Sequence, residues 1–513
     1  MIPNRKQTAQ VDGVPAPVGG LNSRDSYAEM PPTDAVVMNN IFPAQSYVGS
    51  RNGSLAWATG MTGAVPTVCA YTPASGNRKL FGVANNNVFD CTTKGAVGAA
   101  VVSAGITSNW WQHVNFAAGG AQYLVMVNGQ DNMLIYNGAT WQAVTSVSSP
   151  IAITGATTSN FINVNVFQGR LFFVQENSMV VYFLPILSIG GAAVALDLSS
   201  QTTLGGYIVT MATWTVETTS GMTQMACFIT SEGEVLVYQG NDPTYASSWY
   251  QVGTFRIGHP IGYRCTRKYG SDVAVICADG LVPLSKAMMT DRSQKGIAIS
   301  DKIQNLVNND VASYGANQGW DVTLFPLGNK LILNVPNSST TAYQYVMNTL
   351  NQSWCIFTGW NAHCFEVMLD QLFYGGYGTV YQADVGYSDN NNQINCVAIQ
   401  APNYFGSHQQ KQFMLARPII NATGIAAPSF QINTDYNFTT PTNTSGYVSN
   451  GFSQWNTSPW DSTPWSVTAQ IYKNWVGVNG VGYTGSPSIA FSTCGAQINW
   501  QATDVTFQLG SVL

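Results

Sequence analysis

The side chains best suited to chemistry are few in this sequence, and none stand at the spacing that chemistry needs. Four histidines, His113, His259, His363 and His408, lie far apart and never in the short-range pairs that share a metal ion. There is no G-x-S-x-G nucleophile elbow, no H-E-x-x-H zinc helix and no G-K-[ST] phosphate loop. Gly480-Val481-Gly482-Tyr483-Thr484-Gly485 fits G-x-G-x-x-G, which presents a pyrophosphate to the amides of a helix directly after it. The next residues, Ser486-Pro487-Ser488-Ile489-Ala490-Phe491, have a strand pattern, so the glycines read as a turn. Glycoside hydrolysis needs two convergent carboxylates. Glu232 and Asp279 sit in turns, where bonding to backbone accounts for them, and Asp197, Asp242, Asp321 and Asp384 converge only if the fold gathers them. No catalytic, cofactor-binding or metal-binding residue is assigned.

One aromatic cluster is a candidate contact. Trp455, Trp460 and Trp465 recur every five residues in QWNTSPWDSTPW. Such a ladder can stack on sugar rings. Pro459 and Pro464 instead favour a rigid loop whose rings pack inward or against a partner, and that is the expectation.

Composition narrows the class. Charged residues make up 9% of the chain, against roughly 25% in an average soluble protein. Disorder does not explain this, because 12% of the residues are aromatic. A β-rich surface that meets many neighbours does, since each charge buried in a contact is costly. A secreted lectin or adhesin has a similar composition. The net charge of −5 opposes a dedicated nucleic-acid binder, and the basic cluster Arg264-Cys265-Thr266-Arg267-Lys268 reads as a solvated strand end. Cys69, Cys91, Cys227, Cys265, Cys277, Cys355, Cys364, Cys396 and Cys494 include no C-x-x-C pair and are odd in number, which suggests buried thiols from a reducing cytosol. Met1 to Gln10 lacks the apolar core of a signal peptide. Met179 to Leu196 is uncharged, but Pro185 and Gly190-Gly191 break it and no Lys or Arg flanks it closely. It reads as a buried strand entering a Gly-rich loop, not as a membrane span.

The elements that would position these residues are strands. Short β-branched and aromatic runs come in pairs around Gly, Asn and Asp turns, beginning at residues 80, 123, 171, 227, 273, 331 and 371. The steps are 43, 48, 56, 46, 58 and 40 residues, close to the roughly 40–50 residues of a four-stranded propeller blade. Unrelated hairpins stacked in sandwiches are the alternative. Trp141 and Trp354, each closing a repeat, are placed to fill gaps between neighbouring blades. One short helix is expected, with Ser300 as cap, Ile303, Leu306 and Val307 on one face, and Asn308-Asn309-Asp310 as its end. Beyond about residue 388 the strands lengthen. The predicted organisation is all-β: residues 1–60 an N-terminal arm and platform strands, 61–388 a β-propeller of about six to eight blades, and 389–513 a β-sandwich-like domain.

Several segments together resemble the tail nozzle, tail hub and packaged-DNA stabilisation proteins of short-tailed bacteriophages, the podoviruses. They are Tyr182-Phe183-Leu184-Pro185-Ile186 through Gly190-Gly191-Ala192 to Leu196-Asp197-Leu198, then Gly205-Gly206 and Ala212-Thr213-Trp214. Thr230 to Pro243, Trp249 to Gly253 and Ala278 to Ser285 belong to the same set. Pro17-Val18-Gly19-Gly20-Leu21-Asn22 and Arg51-Asn52-Gly53 look like that family's amino-terminal arm, and the Trp ladder like its carboxy-terminal part. The resemblance implies a structural virion protein without catalysis, made in the host cytoplasm and built into the viral tail. It implies a homo-oligomeric ring of about six copies that contacts the adaptor on the portal side and the tail fibres or spikes. Such a ring retains packaged DNA and passes it without sequence-specific binding. The rival expectation is a carbohydrate-binding propeller, either a free lectin or a receptor-binding tail component.

Overall fold

The computed structural model describes residues 9–510 except 219–220, 246, 290–295, 297, 425–426 and 443–469, and its regular structure is overwhelmingly strand. Every repeated pair is an antiparallel hairpin. The pairs are Lys79–Ala84 with Asn87–Asp90, Ala121–Val127 with Met133–Tyr136, Arg170–Gln175 with Val180–Phe183 and Gly221–Thr230 with Glu234–Gly240. Asp272–Cys277 with Gly280–Pro283, Lys330–Pro336 with Ala342–Asn348 and Gln371–Gly375 with Tyr377–Ala383 complete them. The turns need left-handed backbone: Asn85 and Asn86 sit at φ 48° and 59°. At Gly233, φ is 81° and a Cβ would lie 2.3 Å from the Ile257 carbonyl oxygen.

A first strand precedes each hairpin: Thr67–Tyr71, Gln112–Ala118, Phe161–Phe167, Ile208–Thr218, Thr266–Tyr269, Asp321–Phe325 and Cys364–Met368. Together they make seven sheets, the first to the seventh in chain order. Period-two alternation decides how these sheets pack, because successive side chains leave opposite faces of a strand. In the first sheet Val68 and Ala70 pack with Phe373 and Val380 of the seventh, while Cys69 and Tyr71 pack with Leu124 and Met126 of the second. Val125 and Val127 face Leu171 and Phe173 of the third. Phe172 and Val174 face Phe228 and Leu236 of the fourth, whose Cys227 and Ile229 face Val273 and Val275 of the fifth. The middle strands of the second, third and fourth sheets are therefore apolar on both faces. Trp141 fills such a gap, with its ring centroid 4.9 Å from Phe81 of the first sheet.

The first strands touch in chain order, from 67–71 through 112–118, 161–167, 208–218, 266–269, 321–325 and 364–368, and the last also touches 67–71. This is an all-β fold of several sheets, propeller-like or solenoid in character. The fourth strand of the seventh sheet is Ser54–Ala64, paired antiparallel with Tyr377–Ala383 and, on its far side, parallel with Gly95–Ala96. The sixth sheet runs on from Trp354–Phe357 through Asp34–Asn39 to Ile394–Gln400, Gly485–Thr493 and Ser429–Thr434, a nine-stranded sheet. Gln10–Pro15 and Lys411–Ala422 both pair with Ile498–Leu509. Strands from both ends of the sequence thus share hydrogen bonds.

Two α-helices occur among the described residues where one was expected, Leu284–Met289 and Gln304–Tyr314. The second runs past Asn308-Asn309-Asp310, because Val311 and Tyr314 still pack against the core that buries Ile303 and Val307. Ser300 does not cap it. The Ser300 hydroxyl accepts from the Leu281 amide at 3.0 Å and contacts the Gln304 side chain at 3.2 Å. Met179 to Leu196 holds the strands Val180–Phe183 and Gly191–Ala192 and most of Val194–Asp197, and no described helix is long and apolar enough to cross a membrane.

Candidate functional site

Where the seven first strands meet there is a cavity of about 210 Å³. Each sheet contributes to its wall: Val68, His113, Asn165, Met211, Arg267, Asp321 and Glu366 come from the first to the seventh in turn. A first strand has an open edge, and its unpaired backbone groups need partners. Neighbouring sheets supply them through side chains. Asn115 donates to the Ala70 carbonyl at 2.8 Å, Asn165 to the Met211 carbonyl at 2.7 Å and the Thr213 hydroxyl to the Val166 carbonyl at 2.9 Å. The Phe365 amide donates to Asp321 at 3.1 Å. These bonds explain the polar residues at inner strand positions.

Both acidic and basic side chains line the cavity. His113 Nε2 lies 3.3 Å from Glu366 Oε2. Arg264 donates to the carbonyls of Pro66 and Trp111 at 2.9 and 2.8 Å and to the Thr67 hydroxyl at 2.9 Å, tying the approach to the fifth sheet to the first two. The sequence placed Arg264 on a solvated strand end, and that is corrected. Its guanidinium is held inside because those two carbonyls and a hydroxyl face it there. Asp321 is buried, and loss of hydration pushes its carboxyl above the usual range, partly offset by Arg264 and Arg267. The cavity has room for a few waters and none for a nucleic-acid strand.

The other sequence candidates do not come together. Asp197 is exposed and accepts from the Ser199 amide, Asp242 pairs with Arg170 at 2.8 Å and Asp384 pairs with Lys330 at 3.0 Å. Only Asp321 reaches the central cavity. His408 lies against Tyr404, and His363 is buried elsewhere. Among the described residues no three His, Cys, Asp or Glu side chains are grouped to hold a metal ion. Gly480 to Gly485 spans the end of Val476–Gly482, a turn and the start of Gly485–Thr493, a strand and not a helix. Trp455, Trp460 and Trp465 lie outside the described residues. Sequence reasoning missed the close approach of His113 to Glu366 and the role of Arg264, whose partners are distant in the chain. The available signal was a polar residue in the first strand of each repeat.

No family model matches the chain, and no curated protein matches it. Similarity to solved structures is remote. BBS1N in complex with ARL6DN, in a lead-soaked crystal, aligns over 66% of this chain and 99% of its own at 11% identity and a TM-score of 0.41. The mercury-soaked crystal of the same complex gives 10% identity over 66% of this chain and 99% of its own at a TM-score of 0.38. YCF48 bound to D1 peptide aligns over 70% of this chain and 99% of its own at 11% identity and a TM-score of 0.35.

Proposed function

We propose that this chain is a structural protein of a short-tailed phage virion, a tail nozzle or hub whose seven sheets close as a β-propeller. Closure is supported by the contact of the last first strand with the first, and by one cavity with a wall residue from each sheet. The fourth strand drawn from residues 54–64 fits the same reading, because it covers the edge of Tyr377–Ala383 that would otherwise be left bare.

The observation that carries the functional reading is a set of exposed apolar side chains on strands joining both ends of the sequence. Val11, Leu415, Ile471 and Val481 are 41–62% exposed there, with Trp475 and Tyr483 beside them. Exposed apolar groups gathered on one sheet mark an interaction surface, and a chain with so few charges suits packing against its own copies. The small, side-chain-filled centre of each chain leaves no room for a nucleic-acid strand, so DNA would travel between subunits, along a mildly acidic wall that does not hold phosphates. Adaptor and fibre contacts would use the remaining faces.

Electron microscopy and native mass spectrometry of the purified protein test this. The expected result is a ring of about six copies, found also at the tail of virions that carry this chain. A solitary chain at micromolar concentration, absent from any virion, overturns the proposal.

A further inference from the structure

A second recess, of about 530 Å³, opens apart from the central cavity, within the roughly 300–1,000 Å³ of small-ligand sites. Its wall brings together Asn85 from the first hairpin turn, Trp110 ahead of the second sheet and Asn317 and Gln318 after the helix 304–314. Ser338 from the sixth hairpin turn and His363 ahead of the seventh sheet also line it. No Asp, Glu, Lys or Arg lines it.

The indole of Trp110 is half-buried and held from behind. The Arg264 guanidinium carbon lies 5.7 Å from its ring centroid, and the His363 ring meets it edge-on at 6.4 Å and 83°. His363 is 8% exposed, and its Nε2 has no hydrogen-bond partner among the described residues. Burial lowers the basicity of this imidazole and keeps it neutral. Asn317 is fixed by donating to the Pro336 carbonyl at 2.8 Å, while the exposed amides of Asn85 and Gln318 flank the opening.

This chemistry selects its ligand. An anion finds no cation, since the hydrogen bonds of Arg264 go to Pro66, Thr67 and Trp111. A metal ion finds no carboxylate. A purely apolar ligand would strip water from amides and a hydroxyl and give nothing back. A sugar ring has an apolar C–H face for an indole and hydroxyls that both donate and accept, as side-chain amides do.

We propose that this cleft binds a neutral saccharide, with one ring against Trp110 and hydroxyls bonded to Asn85, Gln318 and Ser338. The inference is independent of ring assembly, because one chain carries the whole cleft.

The test uses the full chain on an array of neutral hexose, N-acetylhexosamine and deoxyhexose oligosaccharides, with sialylated and uronate-containing glycans beside them. The strongest neutral binder is then titrated calorimetrically. Trp110→Ala is expected to weaken binding about tenfold or more. Gln318→Ala, at an exposed position that leaves the melting temperature unchanged, is expected to weaken it about threefold or more. If Trp110→Ala fails to fold, the Gln318 variant decides. Failure to retain any neutral glycan, retention of acidic glycans alone, or undiminished affinity in the folded variants overturns the proposal.

Discussion

The guanidinium of Arg51 is wholly buried and grips the carboxylate of Asp389, 338 residues away in the sequence. It also donates to Asn40 Oδ1 at 2.8 Å and to the carbonyls of Asn52 and Thr358 at 2.9 and 2.6 Å, between the rings of Phe357 and Trp360. The amino-terminal strands, the sixth sheet and the start of the carboxy-terminal region are joined at this one side chain. Arg51→Ala strands the Asp389 charge and several acceptors, and is expected to destabilise the protein by about 3–5 kcal/mol. Arg51→Lys should recover little, because an ammonium cannot reproduce the fork. Urea denaturation measures both, and parental stability in Arg51→Ala would contradict this account.

Ala58 is fully buried in the strand that pairs with Val380 on one side and Gly95 on the other. Proline there removes the amide hydrogen from a strand flanked on both sides. Ala58→Pro is expected to cost about 3 kcal/mol or more, and limited proteolysis should then cut first within residues 54–96. An unchanged cleavage pattern would mean that this strand does not hold the seventh sheet in place.

Eight of the nine cysteines are buried, and Cys494 alone is exposed. Burial pushes the thiols of Cys91, Cys265 and Cys396 up to about 12, well away from the reactive thiolate. A thiol-specific chromogenic reagent should therefore titrate a single group in the native protein and all nine in denaturant. Cys494→Ser should abolish the native reaction. Several fast-reacting thiols would show that the sheet interfaces open readily.

Asp321 offers a test by pH. Its folded carboxyl titrates higher than the unfolded one, so the native state holds a proton that the unfolded chain has released. That contribution is complete below the unfolded value near 3.8 and is lost as pH rises through the folded value. Asn in its place can still accept from the Phe365 amide. Asp321→Asn should raise the melting temperature at pH 8 and leave it unchanged near pH 3. A loss at pH 8 would mean that Arg264 and Arg267 outweigh desolvation and the nearby Glu366.

The seven hairpins were legible because each is encoded locally, by an apolar run, an Asn or Gly turn and a second run. What pairs across the chain was not. The partner of Tyr377–Ala383 lies some three hundred residues earlier, at Ser54–Ala64, and no local periodicity names it. The same holds for Gln10–Pro15 on Ile498–Leu509, which binds the predicted first and last regions into shared sheets. The helix Leu284–Met289 is six residues long, too short to show a helical period, and its first residues looked like the end of a strand. The Arg264 contacts and the cleft at Trp110 depend on loops from different repeats, so composition alone could not bring them together.

The two-faced middle strands also limit how this sequence can change over time. Deleting one residue inside Leu171 to Val174 would turn Phe172 and Phe173 towards the wrong neighbours and spoil two interfaces at once. An insertion beside Asn177, in the turn of the same hairpin, shifts no interior side chain. Length variation among related chains should therefore gather at the hairpin tips and between repeats, leaving the middle strands constant in length even where their letters have drifted beyond recognition.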